Sequence, residues 1–435
     1  MNTYDRQILR LALPSIVSNI TVPLLGMVDV AIVGHLGDAA YIGAISVGAM
    51  IFNVIYWIFG FLRMGTSGMT AQALGARRLT DVAQLLVRSL AVALGVALAI
   101  IILQSPIRQL AFAIVQPESQ IRNLTSTYFS ICVWGAPAML TMYGLTGWYI
   151  GMQNTRFPMV IAITQNVVNI IASLILVYGL GLGMKGVAWG TVIAQYVGMF
   201  LSCTLLLLYY RKLLKHLKWT GLFEKQKMFG FFKVNSDIFI RTIFLVTVNF
   251  YFLAAGARQG AVILAVNTLL MQLFILFSYV MDGFAFAGEA LAGKSYGAKN
   301  ASVFYAVIKR LILWGAIVVT FFTILYLIGG KPFLTLFTDD ADVISASAEF
   351  FPWAVVVPLA GAMAFIWDGV YIGITATRGM LYSSVIATLI FFVLFLLLRE
   401  SWANHALWFA FVVYLLTRGL IQTAFFKYFH HFLKV

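Results

Sequence analysis

Twelve residues of this 435-residue chain recur 222 positions later, each copy set inside a long apolar stretch. Leu145-Thr146-Gly147-Trp148-Tyr149-Ile150-Gly151-Met152-Gln153-Asn154-Thr155-Arg156 lies over Trp367-Asp368-Gly369-Val370-Tyr371-Ile372-Gly373-Ile374-Thr375-Ala376-Thr377-Arg378, with six of the twelve positions identical. The same offset sets Gly34 on Gly256, Ala44 on Val266, and Leu74-Gly75-Ala76-Arg77 on Tyr296-Gly297-Ala298-Lys299. Several segments holding one offset describe two copies of one helical unit. Parallel repeats in a membrane protein are typical of transporters.

The stretches between these markers fix the solvent. At 62% apolar and 10% charged residues, with a mean hydropathy of +0.95, the chain belongs in a bilayer. Runs long enough to span about 30 Å of hydrocarbon fall near residues 8–33, 41–66, 82–103, 126–150, 158–180 and 186–210. A second set falls near 235–254, 261–288, 303–328, 347–372, 380–398 and 405–428, which makes twelve spans, six per repeat. The runs are continuous rather than alternating, which favours helices over a barrel. The reading divides the chain into a first six-helix lobe (1–210), a basic linker (211–233) and a second lobe (234–435). No cleavable leader is expected, since Asp5, Arg6 and Arg10 precede an apolar run too long for one.

The net charge of +14 reads as topology, not as a nucleic-acid footprint. Arg77, Arg78 and Arg88 follow the second span, Arg156 the fourth, and a lysine-rich run from Arg211 to Lys233 the sixth. Lys294, Lys299, Lys309 and Arg310 follow the eighth, Arg378 the tenth, and Lys427 and Lys434 the last. Basic residues in alternate loops place both termini in the cytoplasm of a cell with the protein in its inner, plasma membrane. Trp219, Leu222 and Phe223 among the lysines give the linker the character of an interfacial segment. Cys132 and Cys203 lie in spans and read as packing residues; the histidines fall at span ends, so neither a metal site nor a cofactor is expected.

Ionisable groups inside spans are functional candidates by default. Asp29 follows Pro23 by six residues in the first span. Proline cannot donate to the carbonyl four residues back, so Pro23 is a candidate hinge leading to a carboxylate. An ionised Asp at the centre of a membrane helix costs about 2.5–3.5 kcal/mol, and protonation removes most of that cost. Asn166, Asn169 and Ser173 share a face of the fifth span, Thr191 and Gln195 a face of the sixth, and Ser46, Met50, Asn53 and Trp57 a stripe of the second. With Tyr143, these are the candidate cavity walls, and interhelical packing is the competing role for each. The second half brings Asp282 and Asp368; Asp29 itself aligns with Tyr251 and has no duplicate. Arg63 is the one intramembrane cation that enters this reading.

At these residues the chain resembles the multidrug and toxic compound extrusion (MATE) family in its DinF-like branch. The resemblance is carried by Pro14-Ser15, by Met27 to Gly37, by Gln72-Ala73-Leu74-Gly75-Ala76, by Gly151 to Pro158, by Asn166-Val167-Val168-Asn169, by Gly186 to Thr191, and by Met281 to Leu291. It implies a V-shaped, all-α polytopic protein of two pseudo-symmetric six-helix lobes. It also implies a monomeric antiporter exporting amphiphilic, often cationic compounds in exchange for protons, with sodium as the alternative ion at Asp29 or Asp368. In the family a first-helix Asp couples the ion, and Asp29 stands in that place. Asn169 matches a polar neighbour, while Ser173 stands where many relatives carry a second Asp. Asp368 matches a carboxylate that some relatives use for cation binding. Two other functions compete. A lipid-linked precursor flippase of the same superfamily would want a wider, more cationic cavity. A membrane-embedded acyltransferase would want a His and carboxylate pair, for which His35 and Asp38 are the nearest approach.

Overall fold

In a computed structural model of the chain, residues 2–34, 39–335 and 340–429 are described. His35, Asp38, His430 and His431 lie outside them, and so does the end of the Met27 to Gly37 motif. The described chain is helical throughout: α1 (Thr3–Gly34), α2 (Ala39–Ile58), α3 (Phe61–Gly75), α4 (Leu79–Ile102), α5 (Gln104–Val115), α6 (Ser119–Cys132) and α7 (Ala136–Gly151). These are followed by α8 (Arg156–Leu174), α9 (Met184–Leu214), α10 (Lys225–Ala257), α11 (Ala261–Gly297), α12 (Ala301–Thr335), α13 (Ala341–Gly373) and α14 (Thr377–Phe429).

Ten helical stretches among the described residues are long and apolar enough to cross a membrane. One of them, α14, is two helices joined at Ala403, whose φ of 45° is not helical. That break, together with α1, completes the twelve spans read from the sequence.

The repeat offset is written into the helix boundaries. Thr3 and Lys225, Ala39 and Ala261, Leu79 and Ala301, and Ser119 and Ala341 each open a helix, and every pair is 222 residues apart. The turns agree too. Arg77 and Lys299 take left-handed φ values of 57° and 54°, and Gln153 and Thr375 take 65° and 54°. Each closes a helix in the same way: Arg78 N–H donates to Ala73 O, and its counterpart Asn300 N–H donates to Ser295 O.

The repeated Gly-x-Tyr-Ile-Gly segment has a packing cause. A methyl group on Gly147 would overlap the carbonyl oxygen of Arg63, and one on Gly369 would overlap that of Ala285. One turn on, a methyl on Gly151 would stand 2.6 Å from Ser67 O and one on Gly373 2.8 Å from Glu289 O. Glycines four apart thus lay α7 directly on the backbone of α3, and α13 on that of α11, the small-xxx-small device of membrane helices.

The halves differ where the first is broken. The α2/α3 pair is interrupted between Ile58 and Phe61 and α6/α7 at Val133–Gly135, whereas α11 and α13 run through.

By contacts, the chain divides into two compact units, one of Met1–Ile16 with Phe232–Val435, the other of Val17–Phe231. The division falls inside α1 and inside α10, and so differs from the boundaries drawn from the sequence by assigning the first sixteen residues to the later half. The reason is packing within that unit: Gly283 of α11 admits Ile16 and the Ala12 carbonyl of α1, and Asp5 accepts from the Trp314 indole of α12 at 3.3 Å.

The basic connection is shorter and better held than a solvated linker. Arg211 and Lys212 belong to the last turn of α9, and Lys225 to Lys233 to α10. Between them, Gln84 Nε2 donates to Lys218 O at 2.8 Å and Arg88 Nε to Leu222 O at 2.5 Å, so that Leu222 is buried while Trp219 is exposed.

Candidate functional site

Within the unit Val17–Phe231, Asp29 is 9% exposed, and its Oδ1 has no hydrogen-bond partner among the described residues. Among the other unpartnered oxygens that the same unit buries are Asn169 Oδ1 and Ser173 Oγ, both on α8. Asn169 Nδ2 donates to Thr191 Oγ1 at 3.1 Å, which joins α8 to α9. Tyr128 of α6 is buried in the same unit. Sequence reasoning passed over Tyr128. It packs on α2 at Gly48, where any side chain would collide with the Tyr128 ring.

Unpartnered oxygens at membrane depth are costly. A carboxylate, an amide oxygen and a hydroxyl are each groups that can accept a proton's hydrogen bond or a hard cation.

Helix α1 stays helical from Thr3 to Gly34, across Pro23, which is exposed. It is braced from α8 on both sides of Asp29: Asn166 Nδ2 donates to Thr21 O at 3.1 Å, and the Tyr178 hydroxyl, just beyond α8, donates to Ile32 O at 2.9 Å. Asn166 therefore holds the backbone two residues before the proline.

Met50, Asn53 and Trp57 form an exposed stripe on α2. Tyr143 and Thr191 are half-buried. Gln195 is buried, with its Oε1 against Gly135 in the break between α6 and α7 and no partner.

The unit holding Phe232–Val435 is built on different chemistry. Asp368 of α13 accepts from Arg241 Nη2 of α10, from Arg418 Nη2 of α14 at 2.6 Å, and from Gln422 Nε2 at 2.7 Å. Both arginines are 5% exposed. The single intramembrane cation of the sequence reading is thus corrected: Arg241 and Arg418 are buried inside spans, and both were passed over. Their signal was plain, an arginine in Ile238-Phe239-Ile240-Arg241-Thr242-Ile243 and another in Leu415-Leu416-Thr417-Arg418-Gly419-Leu420. Asp282 of α11 is half-buried, and its charge acts on both guanidiniums. Removing one member of such a buried group costs about 3–5 kcal/mol, because the others are left uncompensated.

Two bundles of membrane helices related by a parallel repeat, one holding a carboxylate open in its interior, define a polytopic transporter. The MatE family model matches residues 14–175 and 238–397, one copy in each half. The chain belongs to that family of multidrug and toxin extrusion transporters, and it is a transporter, not an enzyme. It is 36% identical to DNA damage-inducible protein F of Escherichia coli over 98% of this chain and 92% of that protein. It is 25% identical to human multidrug and toxin extrusion protein 1, over 85% of this chain and 64% of the human one. Among solved structures, a MATE crystal structure in the bent conformation superposes with a TM-score of 0.89 at 19% identity, covering 100% of this chain and 97% of that one. An outward-facing multidrug resistance MATE transporter superposes with a TM-score of 0.86 at 18% identity, over 100% and 97% of the two chains.

Proposed function

We propose that this transporter exports amphiphilic, cationic organic compounds in exchange for protons, with Asp29 as the coupling carboxylate and Pro23 as the place where α1 changes shape. The observation that carries the reading is the contrast between two buried carboxylates: Asp29 leaves an oxygen unpartnered, while both oxygens of Asp368 are engaged. Only the open one has room for a proton. Protonation removes the charge that keeps Asp29 apart from the acceptor oxygens of Asn169 and Ser173 and makes it a donor to them. α1 then closes on α8, and the substrate leaves. Deprotonation toward the cytoplasm resets the helix.

One pH unit supplies about 1.4 kcal/mol, and 100 mV about 2.3 kcal/mol per charge. One electrogenic proton then sustains a substrate gradient of a few hundredfold. The exposed Met50, Asn53 and Trp57 stripe offers the apolar wall with few polar anchors that an amphiphilic cation needs. The buried arginines lend no weight to the flippase reading, since they are turned on Asp368 rather than set out as an open cationic surface.

Dye efflux from proteoliposomes, with pH and sodium gradients imposed separately, tests this. The pH gradient alone should drive export, and Asp29→Asn should abolish it while the protein stays folded. Proton-driven export persisting in Asp29→Asn would refute the role.

A further inference from the structure

A carboxylate kept in a low-dielectric interior needs positive charge beside it, drawn from a proton, a dissolved cation or a guanidinium. The first two come and go. The third is permanent, because arginine does not deprotonate in a protein.

Around Asp368 the chain has supplied the third. Nη2 of Arg241 and Nη2 of Arg418 both converge on Oδ2, and the Gln422 amide takes Oδ1. The remaining groups facing the cluster are Tyr414, whose ring lies 5.6 Å from the Arg418 guanidinium, and Asp282, whose field reaches both arginines. A hard cation needs oxygen ligands, and the donors on this carboxylate are nitrogens, two of them cationic.

We infer that the Asp368 cluster is a cation site whose cations are part of the chain. Arg241 and Arg418 hold the positions that a dissolved sodium ion or a proton would take, so the exchangeable ion of the transport cycle is not bound at Asp368. The repeat supports this as a feature of one half alone. At the 222 offset, Arg241, Asp368 and Arg418 align with Asn19, Thr146 and Tyr196, none of them charged. One half therefore carries an open carboxylate and the other a filled one. Arg241 and Arg418 are then determinants of ion specificity, acting by occupying Asp368.

The inference rests on the cation-coupled reading above, and its test reads Asp368 without transport, so the two fail separately. Full-length Asp29→Asn protein is melted in detergent in sodium chloride and in choline chloride at matched ionic strength. The midpoints should coincide. Adding Arg241→Gln with Arg418→Gln frees the carboxylate. The midpoint should then rise by a few degrees in sodium over choline, or on acidification, and adding Asp368→Asn should remove the rise. A sodium-specific rise in Asp29→Asn protein that Asp282→Asn leaves in place would overturn the inference. So would a folded arginine-free variant that responds to neither ion. Should that variant not fold, the comparison of salts on Asp29→Asn protein decides alone.

Discussion

The glycine contacts give the strongest quantitative expectation. At Gly373 an added methyl would stand 2.8 Å from Glu289 O, and at Gly151 2.6 Å from Ser67 O. An ordinary carbon to oxygen contact is about 3.3–3.6 Å, so Gly373→Ala must push α13 off α11 by about 0.5–0.8 Å, and Gly151→Ala slightly more. Glu289 O and Ser67 O are backbone atoms, which cannot swing aside as a flexible side chain would. Overpacking of this size costs about 1–3 kcal/mol, against which alanine returns up to about 1 kcal/mol of helix propensity. At Gly147 and Gly369 the overlap is deeper, with Arg63 O and Ala285 O, so the net loss there belongs at the upper end, about 2 kcal/mol or more. Gly95 has no neighbour within 4 Å and serves as the control. The assay is thermal inactivation in detergent followed by size exclusion, at one heating rate because unfolding of such proteins is irreversible. Gly147→Ala and Gly369→Ala should lose stability by similar amounts, and Gly95→Ala none. Equal melting of Gly369→Ala and wild type would refute the close-approach argument, and a loss at only one of the pair would refute its symmetry.

Two further outcomes follow from Arg88 and Asp5. Arg88→Gln removes a charged donor to the Leu222 carbonyl, worth about 1.5–3 kcal/mol, so trypsin should cut at Lys215 and Lys218 about ten- to a hundredfold faster, and an unchanged digestion rate would contradict the clamp. Asp5 lies before the apolar run of α1. The Asn2 backbone N–H holds its carboxyl below the usual carboxylate range, with the Trp314 indole and the Arg310 charge adding to the effect. A depressed value of this kind contributes stability at neutral pH that is lost as the pH falls through the folded-state value. Asp5→Asn should therefore lower the melting point at neutral pH and flatten its fall toward acid, and parallel pH profiles for variant and wild type would count against it.

The architecture was legible because lipid leaves the backbone few options. Twelve apolar runs and one offset carried by a recurring Gly-x-Tyr-Ile-Gly locate the helices and the repeat, while the close packing at those glycines is a tertiary fact. Asp29 was legible for the same reason, as a carboxylate in an otherwise apolar run. Arg241 and Arg418 carried the same signal, a charge within an apolar run, and were passed over. Their pairing with Asp368 was beyond reach in any case. It joins α10, α13 and α14 across separations of 127 and 50 residues, and no local pattern encodes so distant a meeting. Tyr128 was hidden differently: a lone tyrosine reads as packing in a sequence, and its burial against α2 is a tertiary fact. The clamp on the linker depends on side chains of α4 reaching main-chain carbonyls, which any sequence there would offer.

The split of α1 between the two compact units bears on how this protein can be cut. A gene divided in the linker would yield a fragment beginning near residue 225 that lacks the α1 segment seated on Gly283 and Trp314. That fragment should be insoluble in detergent by itself, and recoverable when the peptide Met1–Ile16 is supplied at its amino end.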